Sequence, residues 1–309
     1  MKRFAVALVI LAIAAAAVFF WLTAPSRLPA EMLAGIDKGD AVAGERIFHA
    51  GGCTSCHGDP KQEGAETADA TGPMLGGGLA LKTPFGTFHA PNISPDPQTG
   101  IGKWSGQDFA NAMMRGVSPS GEHLYPAFPY TSYARMKPGD VADLWAYLKT
   151  VPAVSRPNAP HELSFPFTVR RGLGLWKLLF LSSDPVIAID ESDEQLVLGR
   201  YLAEGPGHCG ECHTPRNLIG GLDKAHWLGG GPAPEGGGKV PNITPDPSGI
   251  GSWSAEDIAY ALESGFTPEF DSLGSSMADV QRNMAKLTAV DRQAIAAYLK
   301  AVPPVASAK

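Results

Sequence analysis

Two short motifs place two cysteines and a histidine in the same pattern, Cys-x-x-Cys-His. The motif at 53–57 reads CTSCH, and the motif at 209–213 reads CGECH. Together they contain all four cysteines of the chain. Thiols at this spacing could form a redox-active pair, half of a zinc site, a structural disulfide or an attachment point for haem.

Covalent attachment of haem gives every residue of the two motifs a role. A thioredoxin-like pair needs a βαβ context, which neither motif has, and zinc needs either convergence of both pairs or further ligands. Zinc and disulfides also leave each histidine unexplained. In haem attachment the two thiols bond to the haem vinyl groups, and the histidine ligates the iron. The predicted attachment residues are Cys53, Cys56, Cys209 and Cys212, and the predicted iron ligands beside them are His57 and His213.

The motifs belong to a repeat that covers most of the chain. PNISPDPQTGIGKWS at 91–105 returns as PNITPDPSGIGSWS at 241–254, and AYLKTVP at 146–152 returns as AYLKAVP at 297–303. Because the order and spacing of the blocks are kept, the chain contains two copies of one domain. We expect an anchor or signal with its linker at 1–35, the first domain at 36–155, an interdomain segment at 156–190 and the second domain at 191–309.

Each copy is predicted to be helical, so the predicted fold class is all-α. Ser105-x-x-Asp108 and Ser254-x-x-Asp257 match the capping box that opens a helix, and a glycine follows each of the two helical segments. Alternation typical of strands is nearly absent. Between the copies, the apolar stretch LGLWKLLFL in 159–185 has two interpretations: a helix packed into the joint between domains, or a docking or membrane-surface element.

The N-terminus predicts an exported protein. An unbroken apolar run from Phe4 to Leu22 follows Lys2 and Arg3, and as a helix it would span about 28 Å, close to the hydrocarbon thickness of a bilayer. The run ends in bulky residues without a clear cleavage site, which favours an uncleaved inner-membrane anchor over a cleaved signal that would leave the protein soluble in the periplasm. The net charge of −6 and the lack of a basic cluster argue against a nucleic-acid partner.

These motifs resemble class I c-type cytochromes, and most of all the multihaem cytochrome subunits of membrane-bound periplasmic alcohol, aldehyde and sugar-acid dehydrogenases. The resemblance covers residues 36–305 and includes GEHLYPAFPYTSYARM, FPFTVRRGLGLWKLLF and CGECHTPRNLIGG. It implies two tandem domains, each wrapping one of two covalently bound haem c groups. It also implies electron transfer from a dehydrogenase or quinol donor to a respiratory acceptor. Such subunits usually carry three haems, so two motifs leave the specific partner open.

The sixth iron ligands are predicted to be methionines, because a thioether opposite histidine suits electron transfer. In the resembled family this methionine precedes the last helix of the domain. Met277 in GSSMADV fits that place in the second copy, with Met284 as a local rival. In the first copy Phe128 stands where some relatives carry methionine, so Met136 in SYARM is the nearest candidate, and an open or different sixth position is the alternative.

An open sixth position on the first iron would be compatible with a second class of function. A dihaem c-type enzyme, such as a peroxidase or a thiosulfate dehydrogenase-like oxidoreductase, needs an iron with a free or labile site. The preferred hypothesis is an electron-transfer protein, or the cytochrome subunit of a dehydrogenase, rather than a catalyst on its own.

Overall fold

The computed structural model describes residues 1–58, 72–235 and 237–307, and its first element is a long apolar helix. Helix α1, Lys2–Leu22, has 21 residues and buries none of them. Bulky side chains stand free along it, such as Phe20, which is 59 % exposed, and Trp21, which is 76 % exposed. By length and composition α1 is able to cross a membrane.

In the first repeat, the helix predicted after Ser105 begins and ends where the sequence predicts. Helix α4 opens with a capping box, in which the Ser105 hydroxyl accepts from the Asp108 amide while the Ser105 amide donates to the Asp108 carboxylate. It ends at Gly116, whose φ of 58° is left-handed. The helices of this repeat are α2 Ala41–Ala50, α3 Cys53–His57, α4 Gly106–Arg115, α5 Tyr130–Tyr133 and α6 Pro138–Leu148.

The second repeat forms the same succession of helices. Ser254 and Asp257 make the second predicted capping box, and Gly265 ends that helix with a φ of 81°. The helices are α8 Glu194–Glu204, α9 Gly210–His213, α10 Ala255–Ser264, α11 Ser276–Met284 and α12 Ala289–Ala301.

In each repeat the first and last helices cross at a glycine. A β-carbon at Gly44 of α2 would lie 2.0 Å from the carbonyl oxygen of Asp143 in α6. A β-carbon at Gly199 of α8 would lie 1.9 Å from the carbonyl oxygen of Ala294 in α12. Only glycine permits backbones this close, and each crossing organises its own apolar core. The first core includes Phe48, Val141, Trp145 and Leu148, and the second includes Leu202, Ile295, Tyr298 and Leu299.

The all-α prediction misses two small antiparallel sheets. Strand β2 pairs with β1 and with β3, which comes from the segment between the repeats, and β4 pairs with β5 in the second repeat. The strands have two to four residues, too few to produce the alternation that reveals a strand in a sequence. They are β1 Ala80–Thr83, β2 Gly86–His89, β3 Glu162–Leu163, β4 Gly231–Pro232 and β5 Lys239–Val240.

The apolar stretch between the repeats forms helix α7, Leu173–Phe180. The Lys177 ammonium donates to the carbonyl oxygens of Arg115 and Gly116 in the first repeat, at 2.7 Å each. The Trp176 indole donates to the carbonyl oxygen of Ile219 in the second repeat, at 2.9 Å. One side of α7 therefore packs into the joint between the repeats.

Two matching polar contacts connect the repeats. Arg46, two residues after the crossing glycine of α2, donates through Nε to the Asp291 carboxylate of α12 at 3.0 Å. Tyr201, two residues after the crossing glycine of α8, donates to the Asp140 carboxylate of α6. Because the two aspartates are each the third residue of the last helix in a repeat, the contact has approximate two-fold symmetry.

Candidate haem sites

Each Cys-x-x-Cys-His motif folds as a short helix directly after the first helix of its repeat. Helix α3 follows Gly52, which has a left-handed φ of 54°. The residue at the same place before the second motif is His208, also left-handed with a φ of 40°. The left-handed residue reverses the chain, so that the motif helix turns away from α2 or α8. Histidine is one of the few other residues found repeatedly in this conformation.

Each motif histidine is held by a hydrogen bond to the carbonyl oxygen of a proline. The Nδ1 atom of His57 lies 2.8 Å from the carbonyl oxygen of Pro91, and Nδ1 of His213 lies 2.8 Å from the carbonyl oxygen of Pro241. Because a carbonyl can only accept, each Nδ1 carries the proton and each Nε2 has a free lone pair. Burial lowers the pKa of both histidines, which keeps the imidazoles neutral. A neutral ring with its Nε2 free and its orientation fixed is a suitable iron ligand.

The four thiols of the motifs are unpaired and protonated. Cys53 and Cys209 form no disulfide, and burial raises the pKa of both thiols to about 12. In the described ranges, no three His, Cys, Asp or Glu side chains gather as a metal site. A single-turn helix places cysteines three apart on one side of the chain, which fits attachment of both to one macrocycle. The donor set therefore suits haem c better than zinc or a redox disulfide.

Similarity to known proteins agrees with this geometry. The sequence profile described as Cytochrome c matches residues 41–152. A "Diheme cytochrome c-type" protein of Cereibacter sphaeroides is 52 % identical over 305 residues, which are 99 % of this chain and 100 % of that protein. The chain belongs to the cytochrome c family.

This cytochrome is also similar to subunits of several dehydrogenases. The fructose dehydrogenase cytochrome subunit of Gluconobacter japonicus is 35 % identical over 263 residues, 84 % of this chain and 52 % of that subunit. The gluconate 2-dehydrogenase cytochrome c subunit of Pantoea cypripedii is 35 % identical over 268 residues, 84 % of this chain and 58 % of that subunit. The cytochrome thus spans about half the length of these subunits.

The structure places the two candidate methionines in different environments. Met277 is in the first turn of α11, half-buried at the edge of the second core. Met136 is 3 % exposed and lies inside the first core. It directly precedes Lys137, the N-cap of α6, just as the core residue Leu287 directly precedes Thr288, the N-cap of α12. Met136 and Met277 are therefore not at matching places in the two repeats.

The asparagines of the two repeated PNI loops form hydrogen bonds within the protein. The Asn92 amide donates to the carbonyl oxygen of Val154 at 2.6 Å, and the Asn242 amide donates to the carbonyl oxygen of Val305 at 2.6 Å. Both asparagines are buried and tie the loop beside the motif histidine to the chain that follows the last helix. These bonds keep Pro91 and Pro241 where their carbonyl groups hold the histidines.

The motif helix of each repeat also contacts the other repeat, which the sequence does not reveal. In the second motif the buried Glu211 carboxylate accepts from the hydroxyls of Thr131 at 2.6 Å and Ser132 at 2.9 Å, both in α5. In the first motif Ser55 lies 3.3 Å from the amide of Asn283 in α11. Glu211 and Ser55 occupy the same motif position. Each motif helix is therefore hydrogen-bonded to the helix that precedes the last helix of the other repeat, α5 or α11.

Burial acts to raise the pKa of Glu211, but its partners outweigh this effect. The Arg216 guanidinium, 2.6 Å away, and the two hydroxyls hold the pKa below its usual range. The carboxylate is therefore charged at neutral pH. The one sequence feature that pointed to this contact is the glutamate itself, because a charged side chain inside a predicted haem-attachment motif requires polar or oppositely charged partners.

Proposed function

We propose that the chain is a dihaem cytochrome c that transfers electrons, built as two tandem cytochrome c domains with one haem each. Cys53 and Cys56 would hold one haem, and Cys209 and Cys212 the other. His57 and His213 would ligate the irons. The iron of each group carries the electron, while the protein holds it, excludes water and provides docking surface. The observation that supports this most is the matched pair of histidine–carbonyl bonds beside two unpaired Cys-x-x-Cys pairs.

For the sixth positions, Met277 is the proposed ligand of the second iron. Its half-buried place at the edge of the second core is compatible with a side chain that reaches towards a bound group. Met136 stays the sequence-based prediction for the first iron. Its burial and its match to Leu287 favour a packing role, so this position is where a direct test is needed.

We propose that α1 anchors the cytochrome in the inner membrane and that the repeats face the periplasm. Lys2 and Arg3 would keep the N-terminus on the cytoplasmic side. The names of the similar subunits support a dehydrogenase as the electron donor. A respiratory protein is the proposed acceptor. The dehydrogenase would oxidise the substrate, since the cytochrome's own residues only ligate the haem iron and provide a docking surface.

The haem content can be tested on the purified full-length chain. A denaturing gel stained for covalent haem and a pyridine haemochrome assay should give two haems per chain, and Cys209→Ser/Cys212→Ser should give one. Absence of covalent haem would overturn the proposal. Reduction of the cytochrome by a candidate dehydrogenase with its substrate then tests the donor independently.

The Phe128 position supports one competing function. Phenylalanine cannot ligate iron, and Phe128 packs against the first core. If Met136 is not the ligand, the first iron has an open side, which a peroxidase would use. Peroxide turnover by the purified cytochrome, with a high-spin signal from one haem only, would favour this enzyme over simple electron transfer.

A further inference from the structure

We propose that α7 and the chain beside it form a second membrane contact, lying in the headgroup region of the bilayer that α1 enters. This inference rests on the proposed role of α1 as an anchor. Leu175, Leu178 and Leu179 are spaced so that they share one face of α7, and Leu178 and Leu179 are 63 % and 70 % exposed. We call this surface the α7 apolar face; it comprises Leu175, Leu178, Leu179, Leu218 and Ile219.

Helix α7 has the polarity opposite to that of a helix on a water-exposed surface. Its one charged side chain, Lys177, is buried and donates to the carbonyl oxygens at the end of α4. Leu175, Leu178 and Leu179 point outwards instead. A helix surrounded by water would bury its leucines and expose its lysine, because apolar area in water is unfavourable. The arrangement fits a helix with protein on its polar side and lipid on its apolar side.

The end of the anchor is bonded directly to α7. Thr23, the residue after α1, is fully buried, and its hydroxyl accepts from Nε of Arg171 at 2.8 Å. A β-carbon at Gly174, in the first turn of α7, would lie 2.6 Å from the Cα atom of Thr23. The place where α1 leaves the membrane is therefore the place where α7 begins. If α1 spans a bilayer, α7 is at the level of its surface.

The second repeat extends the α7 apolar face. The hydrogen bond from Trp176 to the carbonyl oxygen of Ile219 holds the loop of the second repeat beside α7. Leu218 in this loop is 98 % exposed, and Ile219 is 53 % exposed. Contiguous apolar surface from separate parts of a chain marks an interaction site. Because α7 is hydrogen-bonded to both repeats, contact with lipid would fix how the whole molecule stands on the membrane.

Depth measurement on the full-length, haem-loaded cytochrome tests the proposal. A single cysteine is introduced as Leu178→Cys or Leu218→Cys and labelled with a nitroxide, after reconstitution into vesicles of phosphatidylethanolamine and phosphatidylglycerol. Thioether bonds leave no other free thiol. We compare the nitroxide at each site with a nitroxide at a control site. At both sites we expect it to collide more often with dissolved oxygen, and several-fold less often with a water-soluble nickel complex.

Val42→Cys is the matched control, because Val42 is 79 % exposed but lies away from the anchor. Arg27 bonds to the carbonyl oxygen of Pro119, beyond the end of α4, whereas Asp37 lies beside Gly106 at the start of α4. The linker therefore runs back along α4, which is about 15 Å long, before α2 begins. The control label should stay accessible to nickel.

The outcomes separate the two proposals. If alkaline carbonate extracts the cytochrome from the vesicles, the anchor itself fails. If the cytochrome stays in the membrane but the labels at 178 and 218 are as accessible to nickel as the label at 42, only the lipid contact of α7 is overturned. Protection that develops only after a dehydrogenase is added would also overturn it, since the α7 apolar face would then be a protein-docking surface. Unchanged haem absorbance verifies that each variant is folded.

Discussion

At the scale of single residues, Met277 is the side chain whose replacement should change the spectrum most clearly. Met277→Leu keeps the volume and apolar character but removes the thioether. We expect one of the two irons to lose its methionine ligand, the red methionine–iron band to weaken, and the reduction potential of that haem to fall by at least about 59 mV, a tenfold change for one electron. Optical redox titration of the full-length protein measures both effects.

Met136→Leu is the matched variant for the first haem. A ligand role for Met136 requires that the first iron becomes high-spin in this variant and that methionine–iron absorbance weakens. A packing role requires an unchanged spectrum, because Leu287 already fills the same place in the second repeat. An unchanged spectrum would contradict the sequence-based assignment of Met136 and leave the first iron with an open or different distal position.

Glu211 should lower the potential of the second haem. Its buried carboxylate sits within the attachment motif and stays charged through Arg216 and the α5 hydroxyls. A nearby negative charge stabilises the oxidised, more positive centre. Glu211→Gln should therefore raise that potential by an amount on the order of 59 mV, one tenfold step. Ser55→Ala, at the same position of the first motif, removes no charge and should leave both potentials nearly unchanged.

At the scale of elements, the helix crossings limit what each repeat tolerates. Gly199→Ala would place a methyl group 1.9 Å from the carbonyl oxygen of Ala294, so α8 and α12 must separate. We expect a loss of about 1–3 kcal/mol in the free energy of unfolding. Gly139→Ala, in an exposed turn of α6 with open space around it, should instead stabilise by about 0.5–1 kcal/mol. Denaturant titration followed by circular dichroism compares the two, and equal effects would contradict the crossing argument.

The junction between α1 and α7 should weaken in acid through His123. Its Nε2 donates to the carbonyl oxygen of Thr23 at 2.8 Å, while its Nδ1 is buried without a partner among the residues that the structure describes. Burial lowers the pKa of His123, and the neighbouring cations Lys177 and Arg171 lower it further, against the opposing effect of the Thr23 bond. The unfolded chain, with a pKa near the usual value of about 6.5, then takes up the proton more readily than the folded protein.

This contribution to stability is therefore fully present above about pH 6.5 and is lost as the pH falls below it. Thermal unfolding midpoints at about pH 7.5 and pH 5.5 should differ less in His123→Gln than in the unmodified protein. His226→Gln changes an exposed histidine far along the chain and controls for other titrations. Equal pH dependence in all three proteins would count against His123 as the sensitive group.

At the scale of the whole molecule, the sequence predicts local features well and long-range contacts poorly. The caps at Ser105 and Ser254 and the glycines after their helices depend on neighbours within a few residues, so the pattern reveals them. The repeat likewise reveals the helix order. Strand β3 pairs with β2 across most of the first repeat, and Glu211 finds partners in α5 of the other repeat. Partners so distant leave no periodic signal, because only the folded chain brings them together.

The symmetric contact between the repeats leads to a prediction about cooperativity. Arg46 with Asp291, and Tyr201 with Asp140, connect the first helix of each repeat to the last helix of the other. We expect the unmodified cytochrome to unfold in a single transition, in which the methionine–iron band, assigned to the second repeat through Met277, and total helicity are lost together. In Arg46→Leu/Tyr201→Phe each aspartate loses its partner in the other repeat, at a cost of about 1–3 kcal/mol apiece.

When both contacts are lost, the methionine–iron band and the total helicity should disappear at different denaturant concentrations. Each repeat has its own core and can then unfold independently. Arg200→Leu is the control: it breaks the pair with Glu191, which lies wholly within the second repeat. That variant should move both signals together. If the double variant also keeps coincident signals at the original midpoint, other contacts, such as those of the motif helices, join the repeats, and the symmetric polar pairs contribute little.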